Sequence, residues 1–234
     1  MSSYHSKMSL NTSNTPDGNG VLIYNGEMIL LYTTHVKMSF SHTHHPVLKG
    51  TKKGSLYLTS HRIIFLNESH SDPLKSFAMP FQTLRNVELE QPILTPNFLK
   101  GGAQALPDGQ FQGEVEWKLS FPKGGAVEFG QSLLHATDIA ARSAPLFSPP
   151  PYTPMNFPAP YYSAPPNYYT PAGGDFNGFQ APTNVFPEKP QAGNVYMYEA
   201  PPPYPGIGQN PPVPTGDLQL AGKMNATAPP YEKQ

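Results

Sequence analysis

The sequence lacks cysteine and has no excess of either charge, and each absence excludes a class of function. None of its 234 residues is cysteine, so disulfide cross-links, thiol catalysis and cysteine-ligated zinc are excluded. Its 15 lysines and arginines nearly balance 16 aspartates and glutamates, which leaves no positive field to attract nucleic acid. We therefore expect no direct sequence-specific binding to DNA.

Long apolar runs are also missing. The longest aliphatic run, about Met28 to Tyr32, is far shorter than the roughly 20 apolar residues that span a membrane. Residues 1–20 are polar and contain no apolar segment typical of a secretory signal. The sequence therefore predicts a soluble protein that stays inside the cell.

The motifs of common catalytic sites do not occur in the sequence. There is no Gly-x-Ser-x-Gly turn, no glycine-rich phosphate loop before a helix and no His-Glu-x-x-His pair. His42, His44 and His45 form a dense group of potential metal ligands, but no carboxylate lies near them in the sequence. We expect a protein that is not an enzyme and that uses no metal or other cofactor.

Proline is abundant, and its distribution divides the chain. Of the 30 prolines, 22 fall in residues 145–234, together with nine of the 13 tyrosines and only eight charged residues. Such a composition offers too little aliphatic area for a packed core. We predict a disordered polar leader at 1–19, a folded head at 20–144 and a disordered tail at 145–234.

Short apolar runs rich in β-branched and aromatic residues predict a mainly β head. Gly, Asn, Pro or Ser residues separate most of these runs, as turns require. The predicted strands are Val21 to Tyr24, Met28 to Phe40, Ser55 to Thr59, Arg62 to Leu66, Ser76 to Phe81 and Leu84 to Leu89. Their number and spacing are typical of a sandwich or small barrel.

The last part of the head contains the clearest strand and a helix. Over 113–121 apolar and polar residues alternate, as in a strand that is buried on one face. A turn at 122–125 and renewed alternation at Val127 and Phe129 predict a hairpin. Residues 131–142 contain no proline or glycine and place apolar residues at helical spacing, which predicts a helix. About seven strands and one C-terminal helix favour a pleckstrin-homology-like sandwich.

The tail contains three Pro-Pro-x-Tyr motifs. Consecutive prolines preform a polyproline II helix that docks in an aromatic-lined groove at low entropic cost, and the tyrosine adds an aromatic anchor. WW domains recognise peptides of this kind. The candidate WW-binding residues are Pro149, Pro150 and Tyr152, then Pro165, Pro166 and Tyr168, and finally Pro201, Pro202 and Tyr204. A solubilising spacer and self-association through paired tyrosines are the alternatives.

Lys49, Lys52 and Lys53 cluster ahead of a predicted strand in the head. In a pleckstrin-like fold a basic loop at this place can face a phosphoinositide headgroup. The structural interpretation is a solvated turn that keeps a strand edge soluble. The three lysines are therefore candidate lipid-binding residues, with phosphoinositide as a second candidate partner.

A series of sequence blocks runs across about residues 20 to 142, followed by the tail. The blocks are Lys49-Gly50-Thr51-Lys52-Lys53-Gly54, Leu56 to Leu66, Met79-Pro80-Phe81, Glu90-Gln91-Pro92 with Asn97 to Gly101, and Gly125 to Gly130. In this order they resemble the GRAM domain of the WW domain-binding protein 2 family. The tail departs from the family pattern at Ala228-Pro229-Pro230-Tyr231, which lacks the leading proline.

The resemblance implies a pleckstrin-homology-like fold and an adaptor, acting as a transcriptional coactivator, that binds WW-domain proteins. It implies that these partners include transcriptional coactivators and ubiquitin ligases, and that the protein works in the cytoplasm and the nucleus. We expect the head to be monomeric. The alternatives are a phosphoinositide-binding peripheral membrane module and a sperm-associated signalling paralogue of the same family.

Overall fold

The computed structural model describes residues 10–105, 113–143, 161–169 and 175–200, with Pro202, Tyr204, Gly206 and Ile207. The strands of the head are β1 (Val21–Tyr24), β2 (Ile29–Ser41), β3 (Lys52–Thr59), β4 (Arg62–Asn67), β5 (Ser76–Pro80), β6 (Leu84–Glu90), β7 (Phe98–Gln104) and β8 (Glu114–Ser120). Those of the tail are β9 (Tyr161–Ser163), β10 (Asp175–Phe176), β11 (Phe179–Gln180) and β12 (Val195–Tyr198). The helix α1 (Ala126–Ser143) follows β8, and 3-10 turns lie at Pro46–Leu48, Phe81–Thr83, Pro166–Tyr168 and Ala192–Asn194.

Seven strands of the head form one antiparallel sheet in the order β5-β4-β3-β2-β8-β7-β6. The long strand β2 pairs with β3 on one side and with β8 on the other. Its pairing with β3 shifts register between Thr33 and Val36, and His35 in this interval has a φ of 62°. Such an irregularity bends a strand, so β2 joins two halves of the sheet around one core.

The helix α1 packs one apolar stripe on this core. Phe129, Leu133, Ala136 and Ala140 recur at spacings of three or four residues and are buried in the same cluster as Trp117. The prediction of a mainly β, pleckstrin-homology-like sandwich of about seven strands with one C-terminal helix is confirmed.

The hairpin predicted after β8 does not form, and its second strand belongs to α1. Gly124 and Gly125 have φ of 86° and 92°, a left-handed conformation that ends the strand. The helix begins at Ala126. This start places Phe129 on the same buried stripe as Leu133 and Ala136, which lie one and two turns later. Leu134 of the same helix is 55% exposed, so it lies outside this stripe.

The strand β7 was not predicted, and its glycines explain why. Gly101 and Gly102 interrupt the apolar pattern that indicates a strand. In the sheet Gly101 lies opposite Trp117, and a β-carbon at Gly101 would lie 2.8 Å from the indole ring. The glycine is therefore required by the close approach of the tryptophan.

A second sheet joins the head to the tail. Its order is β1-β12-β9, with β1 parallel to β12 and β9 antiparallel to it. We predicted β1 as a strand of the head sandwich, whereas it pairs along its whole length with the tail strand β12. The small sheet lies against the main one, because Val21, Ile23, Val195 and Met197 are buried with Ile64 of β4.

Parts of the leader and tail that we predicted as disordered are packed in the structure. Leu10 is buried and pairs with Phe77 of β5. In the tail, Phe179 and Phe186 are buried in the main core. The composition argument missed them because these side chains pack on the head and form no core among themselves. Residues 1–9 of the leader, and residues 144–160, 170–174, 201, 203, 205 and 208–234 around and within the tail, lie outside the described residues.

Candidate functional site

The structure describes the three Pro-Pro-x-Tyr motifs to different extents. The first, at 149–152, lies outside the described residues. The second, at 165–168, is described in full, and of the third the structure describes Pro202 and Tyr204. Tyr168 and Tyr204 lie in separate clusters around the second sheet, so the second and third motifs do not converge on one site.

The second motif exposes its prolines and hides its tyrosine. Pro165 and Pro166 are exposed, and the 3-10 turn Pro166–Tyr168 directs Tyr168 into the cluster between the two sheets, where it is only 6% exposed. Its hydroxyl donates to the Pro190 carbonyl over 3.3 Å. Burial raises the pKa of Tyr168.

The tyrosine of the third motif is buried against the head. Tyr204 packs with Leu22, Tyr24 and Tyr198, and its ring meets that of Tyr24 edge-on with centroids 5.9 Å apart. The guanidinium carbon of Arg62 lies 5.8 Å from the Tyr204 ring centroid. Burial raises the pKa of Tyr204 well above its ordinary value. We call the four residues around it, Leu22, Tyr24, Arg62 and Tyr198, the Tyr204 pocket.

Ile207 is held by contacts with both the head and the tail. The amide of Ile207 donates to the carbonyl of Ser60 over 2.8 Å, and the Asn177 side chain donates to the carbonyl of Ile207 over 3.2 Å. The Ile207 side chain is fully buried in the main core. The chain is thus held on both sides of Gly206.

A buried ion pair forms the floor of the Tyr204 pocket. Arg62 Nε and Nη2 donate to the two carboxylate oxygens of Glu27, each over 2.9 Å, and neither side chain is more than 3% exposed. The guanidinium carbon also lies 4.7 Å from the centroid of the Tyr24 ring. Arg62 therefore lies between a fixed carboxylate and two aromatic rings, a geometry that suits a planar cation.

The remaining hydrogen-bonding groups of this ion pair have partners as well. The Thr59 hydroxyl donates to Glu27 over 2.6 Å, and the Tyr24 amide does so over 2.8 Å. Arg62 donates further to the Ser13 hydroxyl over 2.9 Å. Burial alone would raise the pKa of Glu27, but the charge of Arg62 and these hydrogen bonds lower it, so the carboxylate stays ionised.

His61 is the neighbour of Arg62 that touches the tail. Its ring centroid lies 6.3 Å from that of Tyr204, and its Nδ1 lies 2.7 Å from the Ser60 hydroxyl. Burial lowers the pKa of His61 to about 4, against the attraction of the Glu27 carboxylate, so the imidazole is neutral at physiological pH.

The lysine cluster is mostly neutralised by acidic partners. Lys52 is 7% exposed and its Nζ lies 2.7 Å from the carboxylate of Asp72. Lys53 is exposed and lies 3.1 Å from Glu68, while Lys49 is exposed in the preceding loop. These pairs favour the structural interpretation of Lys52 and Lys53 over a headgroup site.

Sequence reasoning missed Glu27, Arg62, Tyr24 and Tyr198 as a group. The only local signals were the charges themselves, since Glu27 precedes the apolar start of β2 and Arg62 precedes the apolar run of β4. Charged residues at such positions are usually solvated strand ends. Their pairing depends on the adjacency of the two strand ends, which no local pattern contains.

Comparisons with known proteins agree with this architecture. The model of the GRAM domain family matches residues 23–139. The chain is 44% identical over 147 residues to the postacrosomal sheath WW domain-binding protein of Bos taurus, which covers 60% of this chain and 46% of that protein. It is 41% identical over 137 residues to WW domain-binding protein 2 of Rattus norvegicus, which covers 58% of this chain and 52% of that protein.

The Vps36 N-terminal PH domain is a similar solved structure, with a TM-score of 0.41 and 21% identity over 56% of this chain and 93% of that domain. The chain spans about half the length of the curated relatives it matches. No helix among the described residues is both long and apolar enough to span a membrane. The chain belongs to the GRAM domain family, and the resemblance to WW domain-binding protein 2 that we predicted from the sequence is confirmed.

Proposed function

We propose that this protein is an adaptor that binds WW-domain proteins through its Pro-Pro-x-Tyr motifs. The observation that carries the proposal is the presence of three such motifs in a tail attached to a GRAM domain. The names of the relatives, which describe WW domain-binding proteins, support it. The same names contain no enzymatic activity, and the proposed adaptor needs none.

The motifs supply the chemistry that a WW groove requires. Adjacent prolines keep φ near −65° and so present a preformed extended helix, while the tyrosine ring fills a separate pocket. Little conformational entropy is then lost on binding, which is why so short a motif suffices. Each motif alone is a weak ligand, and a partner with several WW domains gains from their combination.

Isolated peptides test the proposal without disturbing the fold. Peptides containing residues 147–154, 163–170 and 199–206 should each bind a single WW domain in calorimetric titration. The peptide containing residues 226–233 is the matched control, because Ala228 replaces its first proline. Equal binding by the control, or no binding by the three motif peptides to any member of a WW-domain panel, would contradict the proposal.

We further propose that the bound partners include transcriptional coactivators and ubiquitin ligases, that the protein itself acts as a transcriptional coactivator, and that it works in both cytoplasm and nucleus. A WW-driven reporter assay tests this role: the wild-type chain should raise transcription, and a chain with all three motifs inactivated should not. Imaging of the tagged chain should find it in both compartments. Exclusion from the nucleus would contradict the coactivator role while leaving the adaptor role intact.

A further inference from the structure

We propose that the head contains a binding site for the third Pro-Pro-x-Tyr motif of the same chain, and that this contact competes with WW domains for Tyr204. The inference rests on the proposed adaptor function and adds a regulation of one of its motifs. The site is the Tyr204 pocket together with the groove that holds Ile207. Its ligand is a peptide that carries an aromatic and an aliphatic side chain, here Tyr204, Gly206 and Ile207 of the tail.

The competition follows from the burial of Tyr204. A WW domain must enclose the tyrosine ring of its ligand, and in this structure the ring is already enclosed, with 8% of the side chain exposed. One ring cannot occupy two pockets. A WW domain therefore binds this motif only after Tyr204 has left the head.

The site recognises the segment through features that do not depend on the motif prolines. The Tyr24 ring and the Arg62 guanidinium of the head, with the Tyr198 ring of the tail strand β12, surround the tyrosine, and the Glu27 carboxylate fixes the orientation of the guanidinium. Three residues later the Ile207 amide pairs with the head backbone and its side chain enters the core. These two anchors define a site specific for an aromatic residue followed three positions later by an aliphatic one.

The fit is close between the two anchors. A β-carbon added to Gly206 would overlap the His61 ring, at distances that real β-carbons do not adopt. His61 is itself buried and cannot readily move away. The closed contact therefore requires glycine at this position. Gly206 lies outside the Pro-Pro-x-Tyr motif, which ends at Tyr204, so a substitution at Gly206 leaves the motif unchanged.

One defect keeps the contact reversible. The Tyr204 hydroxyl is buried and has no hydrogen-bond partner among the described residues. Leaving a buried hydroxyl unpaired is unfavourable, and release to water or to a WW domain removes this penalty. The unpaired hydroxyl therefore lowers the stability of the closed contact, which allows a WW domain to compete for Tyr204.

The expected effect on affinity depends on the fraction of chains in which Tyr204 has left the head. If this open fraction is f, the apparent Kd for a WW domain is higher than the intrinsic Kd by a factor of 1/f. If the closed form outweighs the open form about tenfold, the full chain binds one WW domain about tenfold more weakly than the free peptide does.

The test uses the full chain with Tyr152→Ala and Pro166→Ala, which inactivate the other two motifs and spare the buried Tyr168. A single WW domain is titrated into this chain, into the same chain with Gly206→Ala, and into peptides 199–209 with either residue at 206. Gly206→Ala should tighten binding to the chain by about tenfold and leave peptide binding unchanged. The matched control is Gly193→Ala, also in the tail, where a β-carbon meets no atom within 4 Å and no change is expected.

Hydrogen exchange of the Ile207 amide gives a readout that does not involve WW binding. The amide should be protected in the chain, less protected after Gly206→Ala, and less protected when the WW domain is added, because linkage is reciprocal. The variant Ile207→Ser, which removes the second anchor, should act like Gly206→Ala.

The outcomes separate this inference from the proposed function. If peptide and chain bind with equal affinity and the Ile207 amide exchanges at the rate of an unfolded peptide, the cis contact is refuted while WW binding stands. If no peptide binds any WW domain, the adaptor function and the competition both fail. In that case a protected Ile207 amide that loses protection on Gly206→Ala still demonstrates the intramolecular site.

Discussion

At the scale of single residues, the Glu27–Arg62 pair is a buried ion pair that contacts both the head and the tail. Taking both charges out of water is costly, and their attraction and hydrogen bonds offset this cost only while both partners are present. Arg62 also connects the head to the tail through the Tyr24 and Tyr204 rings. Loss of either charge therefore affects both stability and tail docking.

We predict that Arg62→Met lowers the free energy of unfolding by about 3–5 kcal/mol, because it leaves the Glu27 carboxylate buried without a counter-charge. The double variant Glu27→Gln/Arg62→Met should be less destabilised than the sum of the two single variants. Urea denaturation of the four chains measures this coupling. Additive losses would contradict a direct interaction between the two side chains.

A second residue-scale prediction concerns His61 and pH. Its pKa is about 4 in the folded chain and near 6.5 in the unfolded one, so the unfolded chain binds more protons between these values. Stability should therefore fall as the pH drops from about 6.5 to about 4, by up to about 3 kcal/mol. Melting temperatures across this range measure it. His61→Gln should flatten the dependence, and an unchanged slope in that variant would refute the assignment.

The lysine cluster provides a matched pair of substitutions. Lys52→Glu should destabilise the head by about 2 kcal/mol, because it places a buried carboxylate against the partly buried carboxylate of Asp72. Lys53→Glu, in an exposed pair with Glu68, should change stability by less than about 0.5 kcal/mol. Thermal unfolding of both variants tests the difference. Equal effects would mean that Lys52 is not buried in solution.

At the scale of elements, the strand β12 decides how the tail relates to the head. Its residues alternate between two environments, with Val195 and Met197 facing the main sheet and Tyr196 and Tyr198 facing the cluster around Tyr204. Such alternation is what a strand buried on both faces requires. The strand thus covers the outer surface of the main sheet and at the same time forms part of the Tyr204 pocket.

Removal of this strand should therefore destabilise the head. A chain that ends at Ser143 exposes Tyr57, Ile64 and Ala78, and we expect it to lose at least about 3 kcal/mol of stability and to bind an apolar dye. A chain that ends at residue 208 is the control, because every described tail contact precedes this point. If the shorter chain is as stable as the control, the small sheet contributes nothing to the head.

At the scale of the whole molecule, the chain combines a folded head with a tail that carries three Pro-Pro-x-Tyr motifs. In the proposed adaptor, a partner with tandem WW domains binds two motifs at once, and the second contact then benefits from effective concentration. The tyrosines of the second and third motifs, Tyr168 and Tyr204, are buried in the structure. Binding by the proposed adaptor should therefore depend both on the number of motifs and on the release of these two tyrosines.

We predict a graded loss when motifs are removed one at a time. Tyr152→Ala, Pro166→Ala and Pro201→Ala should each weaken binding to a tandem-WW partner by less than about a hundredfold, whereas the triple variant should not bind. Tyr231→Ala, in the motif without a leading proline, is the control and should have no effect. Full binding by the triple variant would refute the adaptor function.

The sequence by itself determined the fold class, the family and the positions of the motifs. Strand β8 shows why, since its alternation of apolar and polar residues survives unchanged as a pattern of buried and exposed side chains. The strand limits of β1, β4 and β6 were likewise predicted to within one residue. These features are local, and the backbone period links them directly to the residues involved.

Only the tertiary structure shows which tail tyrosines are buried and what they contact. The pairing of β1 with β12, the Glu27–Arg62 ion pair and the burial of Tyr204 all join residues that are far apart in the chain. Composition marked the tail as too poor in aliphatic residues to form its own core, and the described part instead packs on the core of the head. Contacts of this kind depend on the position of a distant surface, which local periodicity does not encode.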